Sequence, residues 1–79
     1  MSFSQLALLN LSWLVLTAAG TIELLTKKKM GGTTVWLIIG VNFLSGTANI
    51  ANLWQVGLGV VQLIICLLTY TKRDALMRQ

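Results

Sequence analysis

Long apolar stretches separated by one basic cluster dominate the pattern of hydrophobic and polar positions along the chain. Residues 6–25 carry a single charge near their end, and residues 33–70 carry none. A helix rises 1.5 Å per residue, so the first stretch spans a hydrocarbon layer of roughly 30 Å, while the second would reach about 57 Å. The pattern predicts an all-α integral membrane protein with two or three transmembrane helices and no soluble domain.

Three helices are favoured because the second stretch is too long for one straight span. We expect it to turn near 46–53, where Gly, Thr and Asn residues that suit turns are concentrated. The alternative is a two-span hairpin whose second arm is one long helix. The three-span interpretation makes residues 1–79 a single membrane domain with helix 6–25, basic loop 26–32, helix 33–48, helix 53–70 and basic tail 71–79.

The charges support three spans. Lys27, Lys28 and Lys29 lie in the loop, and Lys72 and Arg73 lie in the tail. Basic residues favour the cytoplasmic side, and three spans place both clusters there, whereas a hairpin separates them. We therefore expect a cytoplasmic loop and C-terminal tail. Both clusters are expected to attract anionic lipid headgroups, so bound lipid and a membrane partner are predicted.

Two stripes of polar side chains run along the second stretch at helical spacing. Carboxamides inside a membrane either bond across helices or line a hydrated path, and the sequence leaves both interpretations open. The candidate lining or interface residues are Asn42, Ser45, Asn49, Asn52, Gln55, Gln62 and Thr69.

The first helix is polar on two opposite faces. Its candidate interface residues are Asn10, Thr17, Thr21 and Glu23. Polar groups facing lipid are costly, so a helix polar on both sides predicts contacts on both sides and hence a homo-oligomer. Lys27 lies one helical turn after Glu23, and we expect the two to form an ion pair.

The aromatic residues divide into two groups. Trp36, Trp54, Tyr70 and Phe3 lie near predicted helix ends, where aromatic rings settle at the headgroup level. Trp13 lies in the middle third of the first helix, and we expect it to pack against a neighbouring helix or to line a cavity.

The composition excludes most site chemistry. The chain is 56% apolar and 10% charged, with no histidine, one cysteine and two acidic residues. This inventory supplies neither an acid–base pair nor a metal-ligand set, so we expect a protein that is not an enzyme, without cofactor or metal. Contact with nucleic acid is not expected either, because basic residues are not interleaved with aromatic ones on a soluble surface.

Three families share parts of this layout. Three spans with an outside N-terminus and a basic first cytoplasmic loop resemble half-transporters of the SemiSWEET type over residues 6–73. Ile22-Glu23 stands where that family shows Pro-Gln, so sugar transport is not implied. The hairpin, with Lys27-Lys28-Lys29 between two apolar arms, is similar to conjugative pilins, whose helices pack around lipid in a filament. A phage holin shares the plan of few spans and a basic tail.

Two functions are consistent with these features. The first is a homo-oligomeric pore or small-solute conduit that assembles through polar and small-residue helix faces. The alternative is a structural subunit, either a pilin-like filament protein packed with lipid or an accessory chain of a larger membrane complex.

Overall fold

Helices account for nearly all of the protein in the computed structural model, which describes residues 2–78. The predicted helical class is therefore confirmed. Two of the helices, α1 and α2, are each long and apolar enough to cross a membrane, and α3 is apolar but has only 16 residues. The helices are α1 (Phe3–Lys27), α2 (Gly32–Ile50), α3 (Val56–Thr71) and α4 (Arg73–Arg78).

Helix α1 has a defined start and end. The Ser2 hydroxyl accepts a hydrogen bond from the Gln5 backbone N–H at 3.2 Å, and the Gln5 side chain accepts one from the Ser2 N–H at 3.0 Å. This reciprocal cap satisfies two of the free N–H groups at the helix start. At the other end Lys28 adopts a left-handed conformation with φ 65°, which stops the helix and turns the chain.

The loop after α1 is held by Glu23. Its carboxylate accepts a hydrogen bond from the backbone N–H of Gly31, the residue that caps α2. The expected ion pair with Lys27 does not form among the described residues, because the carboxylate turns across the loop instead.

Helix α2 lies between α1 and α3 and packs against both. Each neighbouring pair is antiparallel, since early residues of one helix meet late residues of the next. The residue pairs that show this are Asn10 with Asn49, Gly20 with Ile38, Gly59 with Ile50 and Cys66 with Ile39. The second apolar stretch is thus two helices, and the bundle extends 38 Å along its longest axis.

The turn between α2 and α3 occupies residues 51–55, later than the predicted 46–53. The Asn52 side-chain oxygen accepts a hydrogen bond from the Trp54 backbone N–H at 3.0 Å, which stabilises the reversal. Helix α2 continues to Ile50 because its last turns are packed between the other helices. As a result α3 is the shorter of the two, the reverse of the predicted boundaries.

Two glycines bring the backbones of α2 and α3 into direct contact. A Cβ atom placed on Gly59 would lie 2.7 Å from the Gly46 carbonyl oxygen and 2.7 Å from the Ile50 nitrogen. A Cβ on Gly46 would lie 2.6 Å from Cγ of Leu63. Small residues at a crossing allow such close approach, so this glycine pair determines where the two helices cross.

The tail contains a helix that the sequence pattern did not predict. The Met30 N–H donates to the Leu76 carbonyl at 2.9 Å, and Leu76 and Met77 pack against a cluster of Met30, Val35 and Ile38. Helix α4 therefore covers the end of the bundle at which the basic loop lies. Met1 and Gln79 belong to the predicted domain but lie outside the described residues.

Polar side chains make up an unusually large share of the buried residues, and many large apolar side chains are exposed. Of the five largest side chains that are fully buried, four are polar: Gln62, Asn42, Asn49 and Ser45. Large apolar side chains lie exposed on all three long helices, among them Leu14, Phe43 and Leu67. The interior of the bundle thus contains several polar side chains, whereas large apolar side chains cover much of its outer surface.

Candidate functional site

Three carboxamides, one from each long helix, meet inside the bundle, and we call them the amide cluster: Asn10, Asn49 and Gln62. The Asn49 side-chain nitrogen donates to Asn10 Oδ1 at 2.8 Å and to Gln62 Oε1 at 2.7 Å. Asn10 Nδ2 donates back to Asn49 Oδ1 at 3.3 Å, and Gln62 Nε2 donates to Asn10 Oδ1 at 3.3 Å. The cluster therefore ties α1, α2 and α3 together at one level.

The hydrogen-bonding capacity of the cluster is largely used within the chain. Both donor hydrogens of Asn49 have acceptors, and each of the three side-chain oxygens accepts at least one hydrogen bond. Asn49 and Gln62 are fully buried. Carboxamides paired in this way link the helices and leave little hydrogen-bonding capacity for a passing solute.

A second polar contact lies about one helical turn along α1 from the cluster. The Trp13 indole N–H donates to Asn42 Oδ1 at 2.7 Å, and the Asn42 side-chain nitrogen donates to the Ile38 carbonyl of its own helix at 2.8 Å. The expectation that Trp13 packs against a neighbouring helix is confirmed. Asn42 is fully buried, and both polar atoms of its side chain have partners, as buried polar groups usually do.

Four other residues of the predicted stripes lie outside the amide cluster. Ser45 is fully buried, and its hydroxyl has no partner among the described residues. Asn52 and Gln55 lie at the turn between α2 and α3, where the buried Gln55 Oε1 is also without a partner in the described chain. Thr69 donates to the Ile65 carbonyl of its own helix at 2.7 Å. These four do not join the amide cluster.

The predicted α1 interface is also only partly assembled. Asn10 faces inward to the cluster, Thr17 is half-buried, and Thr21 donates to the Thr17 carbonyl at 2.8 Å. Glu23 lies at the loop end of the helix. The structure thus brings one of the four predicted residues to the amide cluster.

Exposed hydroxyls on the bundle are satisfied by their own helices. Ser12 donates to the Leu8 carbonyl at 3.0 Å, Thr26 to Ile22 at 2.8 Å, and Thr47 to Phe43 at 2.9 Å. Such bonds to the preceding turn remove the need for an external partner. Polar residues on the outer face of α1 therefore do not by themselves require a second helix there.

The basic residues gather at one end of the bundle. Lys27, Lys28 and Lys29 end α1 and begin its loop, and Lys72 and Arg73 join α3 to α4. The Met30–Leu76 backbone hydrogen bond links these two regions directly. The antiparallel order therefore brings both basic clusters together.

Aromatic rings lie next to the basic end. Trp36 and Tyr70 meet edge to face with ring centroids 6.2 Å apart. The Arg73 guanidinium lies 4.3 Å above the Tyr70 ring and donates to the Tyr70 carbonyl at 2.7 Å. Trp54 is exposed at the opposite end, in the α2–α3 turn.

Two clefts lie on either side of the amide cluster along the bundle. The first, of about 660 Å³, lies at the uncharged end between the start of α1 and the α2–α3 turn, and its lining includes Leu6 and Asn52. The second, of about 300 Å³, lies at the basic end between α1 and α3, and its lining includes Thr21 and Lys72.

Sequence reasoning found the buried face of α2 but missed the identity of its partners. The spacing of Asn42, Ser45 and Asn49 marked one helix face, and all three are buried. The pairing of Trp13 with Asn42 had no separate signal beyond the central position of the indole.

Within residues 2–78 no group of His, Cys, Asp and Glu is arranged to hold a metal ion. No protein-family model matches this chain, and neither a curated protein nor a solved structure matches it.

Proposed function

We propose that this chain is an integral membrane protein that crosses the bilayer three times and serves as a structural, non-enzymatic subunit of a homo-oligomer. The observation that carries the proposal is the amide cluster, whose members bond one another within a single chain beneath an apolar exterior. Lipid offers no hydrogen bonds, so a membrane bundle must satisfy its polar groups internally. Large exposed apolar surfaces are rare on soluble monomers.

The arrangement of charge supports a cytoplasmic basic end. The lysine loop and the α3–α4 junction lie together, which is what three spans require under the positive-inside rule. Trp36 and Tyr70 lie beside these charges, where an aromatic belt would meet the headgroups. The opposite end, with the exposed Trp54, would face outside.

A structural role is favoured over an amide-lined pore because the amides are already occupied. Opening a path along Asn49 and Gln62 would break hydrogen bonds of 2.7 and 2.8 Å that hold three helices together. Helix α1 has few buried residues, Leu6 and Gly20, whereas α2 is largely covered by its neighbours. The uncovered face of α1, which includes Ala19, is the surface we assign to self-association.

A conduit is the second candidate, and the paired clefts favour it. One cleft approaches the amide cluster from the uncharged end and the other from the basic end. A small polar solute would then have to pass the cluster itself, with Asn49 as its central polar contact.

Mass and flux measurements together separate these candidates. The structural proposal predicts a defined multimer in nanodiscs, by native mass spectrometry, and liposomes no more permeable to ions or small neutral solutes than protein-free ones. We expect Ala19→Leu, which enlarges the exposed face of α1, to reduce the multimer. The matched variant Val61→Leu, on the exposed face of α3, should leave it unchanged.

Two outcomes would contradict the structural proposal. If the wild-type protein has the mass of a single chain at every protein concentration, it does not self-associate. Sustained solute flux that Asn49→Leu abolishes without changing the multimer would instead establish the conduit.

A further inference from the structure

A cleft lies between α1 and α3 at the basic end, because these two helices meet at the amide cluster and separate beyond it. Helices α1 and α3 meet through the Asn10–Gln62 hydrogen bond of 3.3 Å and otherwise pack mainly on α2. Toward the basic end they leave a gap of about 300 Å³, floored by Ile38 of α2. Met30 and Leu76, joined by their backbone hydrogen bond, close its end.

The walls of this cleft are apolar despite the threonines among them. Thr21 and Thr69 donate their hydroxyls to carbonyls of their own helices. The Thr17 hydroxyl has no partner among the described residues, but its oxygen is buried and so contributes little to the open surface. Ile65 and Leu68 provide much of the remaining lining. A sugar or an ion would therefore find few donors or acceptors, whereas a hydrocarbon chain would replace no hydrogen bonds.

One charged side chain lies at the mouth of the cleft. Lys72 follows the last residue of α3, is exposed, and belongs to the lining. Arg73 beside it is directed to Tyr70, so Lys72 is the cation available to a ligand in the cleft. An apolar slot with a lysine at the headgroup end complements an anionic amphiphile with one acyl chain inside.

We propose that this cleft holds one acyl chain of an anionic phospholipid, with the lipid phosphate at the Lys72 ammonium. The proposal rests on the membrane insertion proposed above. It assigns a specific lipid to one site, in contrast to the general attraction of a basic surface for an anionic bilayer.

The test compares two substitutions that change the net charge equally. Protein in nanodiscs of phosphatidylcholine with a minor fraction of phosphatidylglycerol is released in the mass spectrometer, and retained lipids are counted. We expect wild type to keep one phosphatidylglycerol per chain, and Lys72→Gln to lower the affinity for this lipid by about fivefold, the effect of one basic residue near a lipid surface. Lys29→Gln, at an exposed loop residue outside the cleft lining, should change it little.

A second pair of variants tests the acyl chain. Thr69→Phe fills the cleft and should displace the retained lipid, whereas Leu67→Phe, on the exposed side of α3, should not. If Lys72→Gln and Lys29→Gln lower the affinity for phosphatidylglycerol equally, the lipid is held only by general attraction to the basic surface, and the proposal is overturned. Wild type that inserts but retains no phosphatidylglycerol would overturn it as well, whereas wild type that fails to enter bilayers would defeat the proposed function itself.

Discussion

Individual polar residues in this bundle differ sharply in what they contribute. Asn49 takes part in three hydrogen bonds with α1 and α3. Ser45, one helical turn earlier on the same buried face, has no partner for its hydroxyl among the described residues. The two are equally buried, so burial alone does not indicate which side chain holds the helices together.

This contrast predicts opposite results for two alanine substitutions. We expect Asn49→Ala to lower the free energy of unfolding by about 1–3 kcal/mol, because it removes several interhelical hydrogen bonds and leaves partners unpaired. Ser45→Ala should change stability by less than about 0.5 kcal/mol or raise it, since a buried hydroxyl without a partner is removed. Titration with a denaturing detergent in mixed micelles measures both. A larger loss for Ser45→Ala would contradict the assignment.

Sequence pattern located these residues but could not pair them. The spacing of Asn42, Ser45 and Asn49 gives a helix face directly, because helical periodicity is a local property. Pairing Asn49 with Asn10 and Gln62 depends on how far α1 and α3 slide and rotate against α2. Those displacements are set by contacts between distant segments, which no periodicity within one helix encodes.

Among the elements, α2 and α3 have the most closely defined relation. Their crossing depends on Gly46 and Gly59, where one backbone touches the other. Gly57, also on α3, has no atom within 4 Å of the position that a Cβ would occupy. Neither glycine of α3 has a positive φ, so alanine is sterically compatible with the local backbone of both.

The matched pair Gly59→Ala and Gly57→Ala tests this crossing. We expect Gly59→Ala to destabilise the bundle by about 1–3 kcal/mol, because the methyl group meets backbone atoms of α2 and the helices must separate. Gly57→Ala should be neutral or stabilising by up to about 1 kcal/mol, since alanine is the better helix former. Thermal unfolding in detergent, followed by circular dichroism, distinguishes them. Equal effects would show that the crossing is not limited by the Gly59 contact.

Two departures from the predicted layout, the later turn between α2 and α3 and the helix in the tail, have separate causes. The Gly, Thr and Asn residues of 46–52 read locally as a turn, yet Gly46 and Asn49 are engaged by α3 and keep that segment helical. Helix α4 has only six residues, too few for a periodic pattern to identify. Its packing on Met30 is a contact between distant parts of the chain.

At the scale of the whole molecule, the proposed three-span topology depends on both basic clusters lying at the same end of the bundle. Lys29 and Ala75 lie at the same end, and Leu53 lies in the turn at the other. A two-span hairpin would instead separate Lys29 from the tail. The molecule therefore offers positions at which labelling from one side of the membrane distinguishes the two layouts.

We expect cysteines introduced at these positions to differ in the side of the membrane from which they can be labelled. In a Cys66→Ser background, Leu53→Cys should react with a membrane-impermeant maleimide on intact cells, while Lys29→Cys and Ala75→Cys should react only after permeabilisation. The measurement is the labelled fraction before and after permeabilisation. If Lys29→Cys and Ala75→Cys label from opposite sides, the hairpin is correct and the three-span proposal fails.

The unequal lengths of the three helices have a consequence for lipid around the proposed membrane bundle. At 1.5 Å per residue, the 25 residues of α1 extend about 38 Å, whereas the 16 residues of α3 extend about 24 Å. Once inserted, such a bundle falls short of a bilayer of about 30 Å on the α3 side, whereas α1 is long enough to cross it. Lipids beside α3 must thin while those beside α1 do not. We therefore expect such a protein to sort toward thinner membranes.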